Sequence, residues 1–338
     1  MDPTSRKKRA NLRDVARKAG VSVATASRVL NMPAAVSAET RDRVQSAIDD
    51  LRFVPSAAAR AINSGRTRVI GALVPTLDNA IFARFLDAIE NEMAQHALSV
   101  VVATTDNDPE IEVEKARNLL DIGAEGLIVS GVAHSPAFEA LVQKTRIPVI
   151  ATSCYEPAYA LPTVGYDNRA AAQMALQHLF DLNHRRIAVL HGHAFNNDRT
   201  RARLAGLQAL DLDLQLDLYE ADITIEGGCQ AVAKILASGA QHSAFLCLSD
   251  VLAMGALFEL QRSGLTVPDD VSVMGLEDLP SSSYTAPALT SVRLQVSEMG
   301  SRAAKALASW IETSEPPEPV LLAAELIPRQ STRAVERS

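Results

Sequence analysis

The sequence has few cysteines and few aromatic residues. Its 338 residues include three cysteines, none of them in a CxxC pair, and aromatic residues make up 4%. An odd number of isolated cysteines favours neither a disulfide framework nor a zinc site, and it fits a reducing compartment. Hydrophobic residues nevertheless make up 47%, so we expect large, mostly aliphatic cores in two or three structural units.

Long apolar runs and catalytic motifs are also missing. No apolar run reaches the roughly 18 residues of a membrane span. The charged N-terminus has no apolar stretch behind it, unlike a signal peptide, so we expect a cytoplasmic protein. No Ser-His-Asp order, Walker loop or GxGxxG stands in its required context, and "HGH" (191–193) is a weak metal pattern without a carboxylate partner. The sequence therefore predicts no catalytic residue, no metal site and no cofactor.

Charge is unevenly distributed along the chain. Residues 1–68 hold 14 Lys and Arg against 6 Asp and Glu, a net charge of +8, whereas the remaining residues have a net charge of −15. The basic run "RKKR" (6–9) alone would fit a solvated tail. A basic head on an acidic body indicates instead that the head binds a polyanion.

Helical periodicity in the head predicts three short helices. "NLRDVARKAG" (11–20) has a capping Asn and a terminating Gly, "SVATASRVLN" (22–31) follows directly, and "SAETRDRVQSAIDDL" (37–51) gives a third helix. A tight Gly turn between the first two is typical of a helix-turn-helix, whose second helix enters the DNA major groove. Small residues would bring that helix close to the bases, and Arg28 is long enough to read a guanine.

The sequence as a whole resembles the lactose-repressor-like (LacI-type) family of bacterial transcription regulators. The matching segments include "LRDVARKAGVSVATASRVLN", "VGYDNRAAAQMALQHLFDLNHRRIAVLHG", "RARLAGL" and "GLTVPDDVSVMGLED". The resemblance covers roughly residues 11–330. It implies a DNA-binding head, a hinge helix that forms on operator DNA, and a body like a periplasmic sugar-binding protein.

The resemblance also implies which head residues contact DNA. Val23 and Ala24 occupy the specificity positions of the recognition helix, and Arg28 matches the arginine that reads a base. Ile62 stands where the family wedges a leucine into the minor groove, with Ala59 beside it. The predicted DNA contacts are Leu12, Ser22, Val23, Ala24, Thr25, Ser27, Arg28, Asn31, Ala59 and Ile62.

The body shows an α/β pattern independently of the family. β-branched runs such as "RVIGALVP" (68–75) and "RIAVLHG" (186–192) alternate with helical stretches in two successive series. This alternation predicts two doubly wound parallel-sheet subdomains. We expect a helix-turn-helix head at 1–53 and a hinge helix and linker at 54–68. The effector-binding and dimerisation domain would span 69–330, with an N-subdomain at about 69–166 and 296–315 and a C-subdomain at about 167–292 and 318–330.

Ligands of open α/β sheets bind beyond the carboxyl ends of the strands, and polar residues follow the predicted strands here. The resemblance identifies Arg203 as the effector-binding arginine. It places Glu277 where relatives usually carry Asp, and Ile223 where an aromatic residue often stacks on the ligand. The predicted effector contacts are Asp78, Phe82, Ser153, Asp167, Arg203, Ile223, Ser249 and Glu277.

These predictions describe a homodimeric repressor that binds a pseudo-palindromic operator and a small effector such as a sugar or sugar acid. Two alternatives belong to other classes: a solute sensor with an incidental basic head, and an α/β enzyme acting on a sugar or nucleoside. The helix-turn-helix sequence of the head disfavours both alternatives. An enzyme would also need a pair of acids, and the adjacent Glu277 and Asp278 would point to opposite sides of an extended segment.

Overall fold

The structure, a computed structural model, describes residues 10–54, 61 and 65–335. It divides into two compact units, Met1–Thr67 and Arg68–Ser338, which we call the head and the body. Of the predicted DNA contacts, Ala59 and Ile62 lie outside the described residues, and for Asn31 only the backbone is described.

The described part of the head contains three α-helices, and each begins at a predicted cap. The helices are α1 (Leu12–Ala19), α2 (Val23–Asn31) and α3 (Ala38–Leu51). The side chains of Asn11, Ser22 and Ser37 accept hydrogen bonds from the first-turn amides of their helices. Gly20 ends α1 in the left-handed conformation with φ 64°. Local capping chemistry therefore fixes both ends of the turn between α1 and α2.

A small aliphatic core holds these helices together. Val15, Ala26 and Val44, one from each helix, are fully buried. The Arg43 guanidinium donates to the carbonyl oxygens of Ala19 and Gly20, which ties α3 to the end of α1. The core consumes one stripe of α2 and leaves its opposite face to solvent.

The body contains two six-stranded sheets. Their strands are β1 (Val69–Val74), β2 (Ser99–Thr104), β3 (Ala124–Ser130), β4 (Val149–Thr152), β5 (Thr163–Gly165), β6 (Arg186–His191), β7 (Gln215–Glu220), β8 (Ala244–Cys247), β9 (Ser272–Glu277), β10 (Thr290–Arg293), β11 (Val320–Leu321) and β12 (Glu325–Ile327). The N-subdomain sheet has the order β11-β5-β4-β3-β1-β2, and the C-subdomain sheet has the order β12-β10-β9-β8-β6-β7. All pairs are parallel except β10 with β12.

Eight described α-helices cover these sheets. They are α4 (Ala80–Gln95), α5 (Pro109–Asp121), α6 (Pro136–Thr145), α7 (Asn168–Asp181), α8 (Asp198–Gln208), α9 (Ile225–Ala237), α10 (Asp250–Arg262) and α11 (Val296–Thr313). Helix α11 returns to the N-subdomain and packs against α4. None of the helices in the described part of the chain is both long and apolar enough to cross a membrane.

The end of the chain departs from the predicted subdomain boundary. We expected 318–330 to belong to the C-subdomain, but Val320 and Leu321 pair with β5 in the N-subdomain sheet. Only β12 joins the C-subdomain sheet, by antiparallel pairing with β10. The two strands in this segment have only two and three residues, so sequence periodicity cannot assign them to either sheet, and backbone pairing decides their place.

Candidate functional site

The exposed face of α2 carries the side chains predicted to meet DNA. Val23, Ala24 and Arg28 are all exposed, and Val23 lies outside the head core with 44% of its surface accessible. Ser22 caps α2 and its hydroxyl lies 2.9 Å from that of Thr25. These residues form a narrow surface of small side chains around one long cation, which can approach a nucleic-acid groove closely.

The other predicted head contacts differ in their surroundings. Ser27 is partly buried within α2. Leu12 is half-buried at the start of α1 and packs partly on the head core, so its first role in the structure is packing.

The body contains a cleft of about 1040 Å³ where the carboxyl ends of strands from both sheets face each other. Residues from both subdomains line it, including Thr76 after β1, Asn107 after β2, His193 after β6 and Glu277 at the end of β9. A ligand site was predicted at this edge of the strands. The cleft is large enough for a small polar solute.

Six of the eight predicted effector contacts line this cleft: Asp78, Phe82, Ser153, Arg203, Ile223 and Glu277. The other two do not line it. The carboxylate of Asp167 accepts from the amides of Arg169 and Ala170 and so caps α7. The hydroxyl of Ser249 caps α10 and donates to Glu277 Oε2 at 2.9 Å, which places it behind a lining residue.

The predicted effector arginine, Arg203, is held by protein groups on several sides. It is 7% exposed, and its Nε donates to Asn168 Oδ1 at 3.0 Å. Its Nη1 donates to the carbonyl oxygen of Leu248 at 2.6 Å and lies 3.7 Å from Glu277 Oε1. Asn168 in turn donates to the carbonyl oxygen of Ser153. The network fixes the guanidinium at the base of the cleft.

Glu277 completes this network and is electrostatically unusual. Burial, reinforced by the negative charge of Asp250, raises the pKa of Glu277 to about 7 despite the nearby Arg203. Its backbone φ is 122°, and that of Ser153 is 69°, both in the region that favours glycine. Residues with strained backbone angles often lie at functional sites, and both of these residues line the cleft.

A second pair of charged residues bridges the two subdomains at the cleft. Asp198, the first residue of α8, accepts from the amides of Val132 and Ala133 in the N-subdomain at 2.5 Å and 3.0 Å. The adjacent Arg199 pairs with Asp198 and donates through Nη2 to Asn107 Oδ1 at 2.7 Å. We call these four contacts the cross-cleft bridge. Three of them join the two subdomains, and the Arg199–Asp198 pair within α8 holds their side chains together.

The environment of Asp198 favours its charged form. Burial opposes the charge, but Arg199 and the amides of Val132 and Ala133 together hold the pKa of Asp198 below its ordinary value. Gly131 lets these groups approach, because a Cβ there would lie 2.6 Å from Asp198 Oδ2. It also adopts φ 89°, which suits glycine.

His193 has the carboxylate neighbours that the "HGH" pattern lacked. Its Nδ1 lies 2.8 Å from Glu220 and its Nε2 lies 2.9 Å from Asp222. Hydrogen bonds to Asp222 and Glu220 raise the pKa of His193. The carboxylates lie on opposite ring nitrogens and cannot converge on one cation. No group of three or more His, Cys, Asp or Glu side chains that could hold a metal ion occurs among residues 10–54, 61 and 65–335.

Sequence reasoning did not single out Asn107, Asp198 or Arg199, although all three lie in segments that follow predicted strands. The position of each at the carboxyl end of a strand was the available signal. Their pairing across 66 and 92 residues of sequence could not be predicted from spacing.

Two family models match the chain in the order head, then body. "Bacterial regulatory proteins, lacI family" matches residues 11–56. "Periplasmic binding proteins and sugar binding domain of LacI family" matches residues 67–330. The second model alone covers well over half of the chain.

Curated relatives align over nearly their whole length. The HTH-type transcriptional regulator GntR of Escherichia coli (strain K12) is 31% identical over 310 residues, covering 90% of this chain and 93% of the relative. The HTH-type transcriptional repressor PurR of Actinobacillus pleuropneumoniae serotype 3 is 29% identical, covering 97% and 100%. Both relatives are transcriptional regulators by name.

A solved structure agrees with the fold of both units. The Lac repressor dimer bound to operator and the anti-inducer ONPF is 27% identical, with a TM-score of 0.86, and the match covers 97% of this chain and 100% of that one. The family models, the relatives and the fold coincide over head and body alike. The chain therefore belongs to the LacI family of bacterial transcriptional regulators.

Proposed function

We propose that the protein is a transcriptional repressor whose affinity for a pseudo-palindromic operator is controlled by a small polar effector bound in the body cleft. The observation that carries this proposal is the cleft itself. It combines about 1040 Å³ of space with a fixed arginine and polar side chains from both subdomains. A solute that binds two subdomains at once stabilises one relative arrangement of them, and it thereby shifts a population.

The DNA-binding role is assigned to the exposed face of α2. Arg28 donates no side-chain hydrogen bond to the residues that the structure describes, so its guanidinium can form a bidentate pair with guanine. Val23 and Ala24 offer only apolar contact, which suits thymine methyl groups. We assign Ala59 and Ile62 to the minor groove on the strength of the family resemblance alone.

A homodimer follows from the proposal because two heads are needed to read two half-sites. The Lac repressor structure named above is a dimer on operator DNA. A regulator of this kind acts where the chromosome is, so we place the protein in the cytoplasm.

We also infer that the protein is not an enzyme. The two adjacent acids at the cleft diverge: Glu277 accepts from Ser249, whereas Asp278 pairs with Arg293 and Arg329. This divergence keeps Asp278 from acting together with Glu277 as a general acid and base pair at one substrate. The relatives, which are regulators, support the same conclusion.

Two experiments test the proposal. Selection of DNA from a random library by the full-length protein should enrich one pseudo-palindromic site. A thermal-shift screen of sugars, sugar acids, nucleosides and nucleobases should raise the melting temperature with one chemical class, because a ligand that binds only the folded state stabilises it by mass action. A selection that enriches no site would contradict the proposed sequence-specific binding to an operator. A screen that finds no stabilising solute would contradict the proposed control by an effector.

A further inference from the structure

One aromatic side chain at the cleft is almost completely exposed to solvent. Phe195 lies in the loop between β6 and α8, residues 192–197, which we call the rim loop, and it lines the cleft. Its side chain is 96% exposed, more than any other large hydrophobic residue in the described ranges. A single exposed apolar residue on an open surface needs no explanation. An exposed ring at a ligand cleft differs because a ligand can cover it.

The backbone of Phe195 is anchored, although its ring stacks on no aromatic or cationic side chain among the residues that the structure describes. Arg201 donates through Nη1 to the carbonyl oxygens of both Ala194 and Phe195, each at 2.8 Å. Earlier in the loop, the His193 ring is held between Glu220 and Asp222. Four polar contacts thus fix the rim loop to the C-subdomain. The exposure of the ring therefore follows from an ordered loop and not from a loose chain.

The C-subdomain wall of the cleft otherwise lacks an aromatic carbocycle among its described residues. Phe82, Phe85 and Tyr166 lie on the N-subdomain side, and the last two are buried. Ile223 occupies the wall beside Gly192, where an added Cβ would lie only 2.5 Å from Ile223 Cδ1. A flat ligand surface can therefore find an aromatic partner on this side at Phe195.

We propose that Phe195 is a specificity-determining residue that covers the bound effector and selects a polar solute with an apolar ring face. A cyclic sugar or a nucleobase has such a face, whereas an open-chain polyol does not. Asn107 and Asp78 across the cleft supply hydrogen bonds to the polar edge of the solute. This inference rests on the proposed function and names the chemical class of its effector.

Matched solutes test the proposal on the full-length protein. The probes are cyclic sugars with their alditols, such as glucose with glucitol and ribose with ribitol, together with the nucleobases adenine and uracil. We expect a cyclic solute to raise the melting temperature and its open-chain partner to have little effect. Sugars and nucleobases are separate arms, so the same screen tells the two sources of a ring face apart.

The stabilising solute is then titrated calorimetrically against three variants. Phe195→Ala should raise the dissociation constant of this solute by about tenfold to about a hundredfold, as expected for losing the burial of one phenyl ring. Phe195→Tyr keeps the ring and should bind within about threefold of the parent chain. Ile122→Ala removes an exposed apolar residue that does not line the cleft and should bind like the parent chain.

A spectroscopic variant reports the contact itself. The chain has one tryptophan, Trp310, so Phe195→Trp combined with Trp310→Phe places a single indole on the rim loop. Ligand binding should shift its emission to shorter wavelength. Unchanged affinity in Phe195→Ala, or a stabilising solute without a ring, would overturn this inference alone. A screen in which no solute stabilises the parent chain would overturn it together with the proposed effector control.

Discussion

The recognition helix α2 and the body cleft use charged side chains in opposite ways. On α2, Arg28 is exposed and pairs with no described residue. In the cleft, Arg203 is buried, Arg199 is partly buried, and both already donate hydrogen bonds to protein groups. In the proposed function, the head presents an exposed cation to DNA, whereas the cleft presents a preorganised network to a small solute. Removing a charge should therefore affect binding alone in the head and both folding and binding in the cleft.

The largest effect is expected at Arg203. Arg203→Ala removes the donor to Asn168 Oδ1 and to the Leu248 carbonyl, and it leaves the buried Glu277 without its neighbouring cation. Breaking a buried ion pair on one side costs about 3–5 kcal/mol of folding free energy. Denaturant unfolding of the body should show this loss, and effector stabilisation should disappear. A variant that unfolds at the parent's midpoint and still binds the effector would contradict the network's role.

A smaller effect, confined to DNA, is expected at Arg28. Arg28→Ala should weaken specific operator binding by at least about 2 kcal/mol, or roughly 30-fold, because two half-sites each lose a bidentate contact. Fluorescence anisotropy on operator and scrambled DNA measures this difference. Arg41→Ala removes the same charge from the exposed surface of α3 and serves as the control. Equal loss on both DNAs in Arg28→Ala would reduce it to a phosphate contact.

Glu277 should make stability depend on pH. Its folded pKa of about 7 lies above its ordinary value of 4.5, so the folded state binds more protons between these values. Stability contributed by this group is therefore present below pH 4.5 and is lost as pH rises towards 7, by on the order of 2–3 kcal/mol. Glu277→Gln should flatten the stability profile over this range. An unchanged slope would show that another group titrates there.

The smallest effect is expected at the cross-cleft bridge. Asp198→Asn weakens the bonds to the Val132 and Ala133 amides and should cost about 1–2 kcal/mol. Hydrogen exchange of a peptide that contains these amides should become about tenfold faster, while Asp121→Asn, at the exposed last residue of α5, should leave it unchanged. Since the folded pKa of Asp198 is lowered, acid should weaken the bridge as pH falls through that value. Identical hydrogen-exchange rates in the two variants would show that the cross-cleft bridge does not protect these amides.

The same contrast explains what the sequence could predict. The head depends on local signals, and the caps at Asn11, Ser22 and Ser37 are confirmed. β-branched runs predicted β1 and β6 to within about one residue. Strand β7, "QLDLYE", was not predicted because its acidic residues are uncommon in strands. Strands β11 and β12 are too short to show an alternating pattern.

The candidate site was less accessible from sequence. The resemblance supplied Arg203 and Glu277, but the partners of Arg203 lie 35 and 45 residues away and are set by tertiary packing. Asp167 was selected as a polar residue after a strand, yet helix capping uses its carboxylate. Residue type and strand position thus indicated the region, while the division between lining, capping and bridging required the structure.

One measurement tests the central claim that cleft occupancy controls DNA binding. The affinity of the full-length protein for its selected operator is measured without effector and at saturating effector, with saturation confirmed by thermal shift. Allosteric coupling of about 1–3 kcal/mol predicts a change in operator affinity of at least about fivefold. The Phe195→Ala variant should need a higher effector concentration to reach the same change. Equal operator affinity with the cleft empty and occupied would contradict the account.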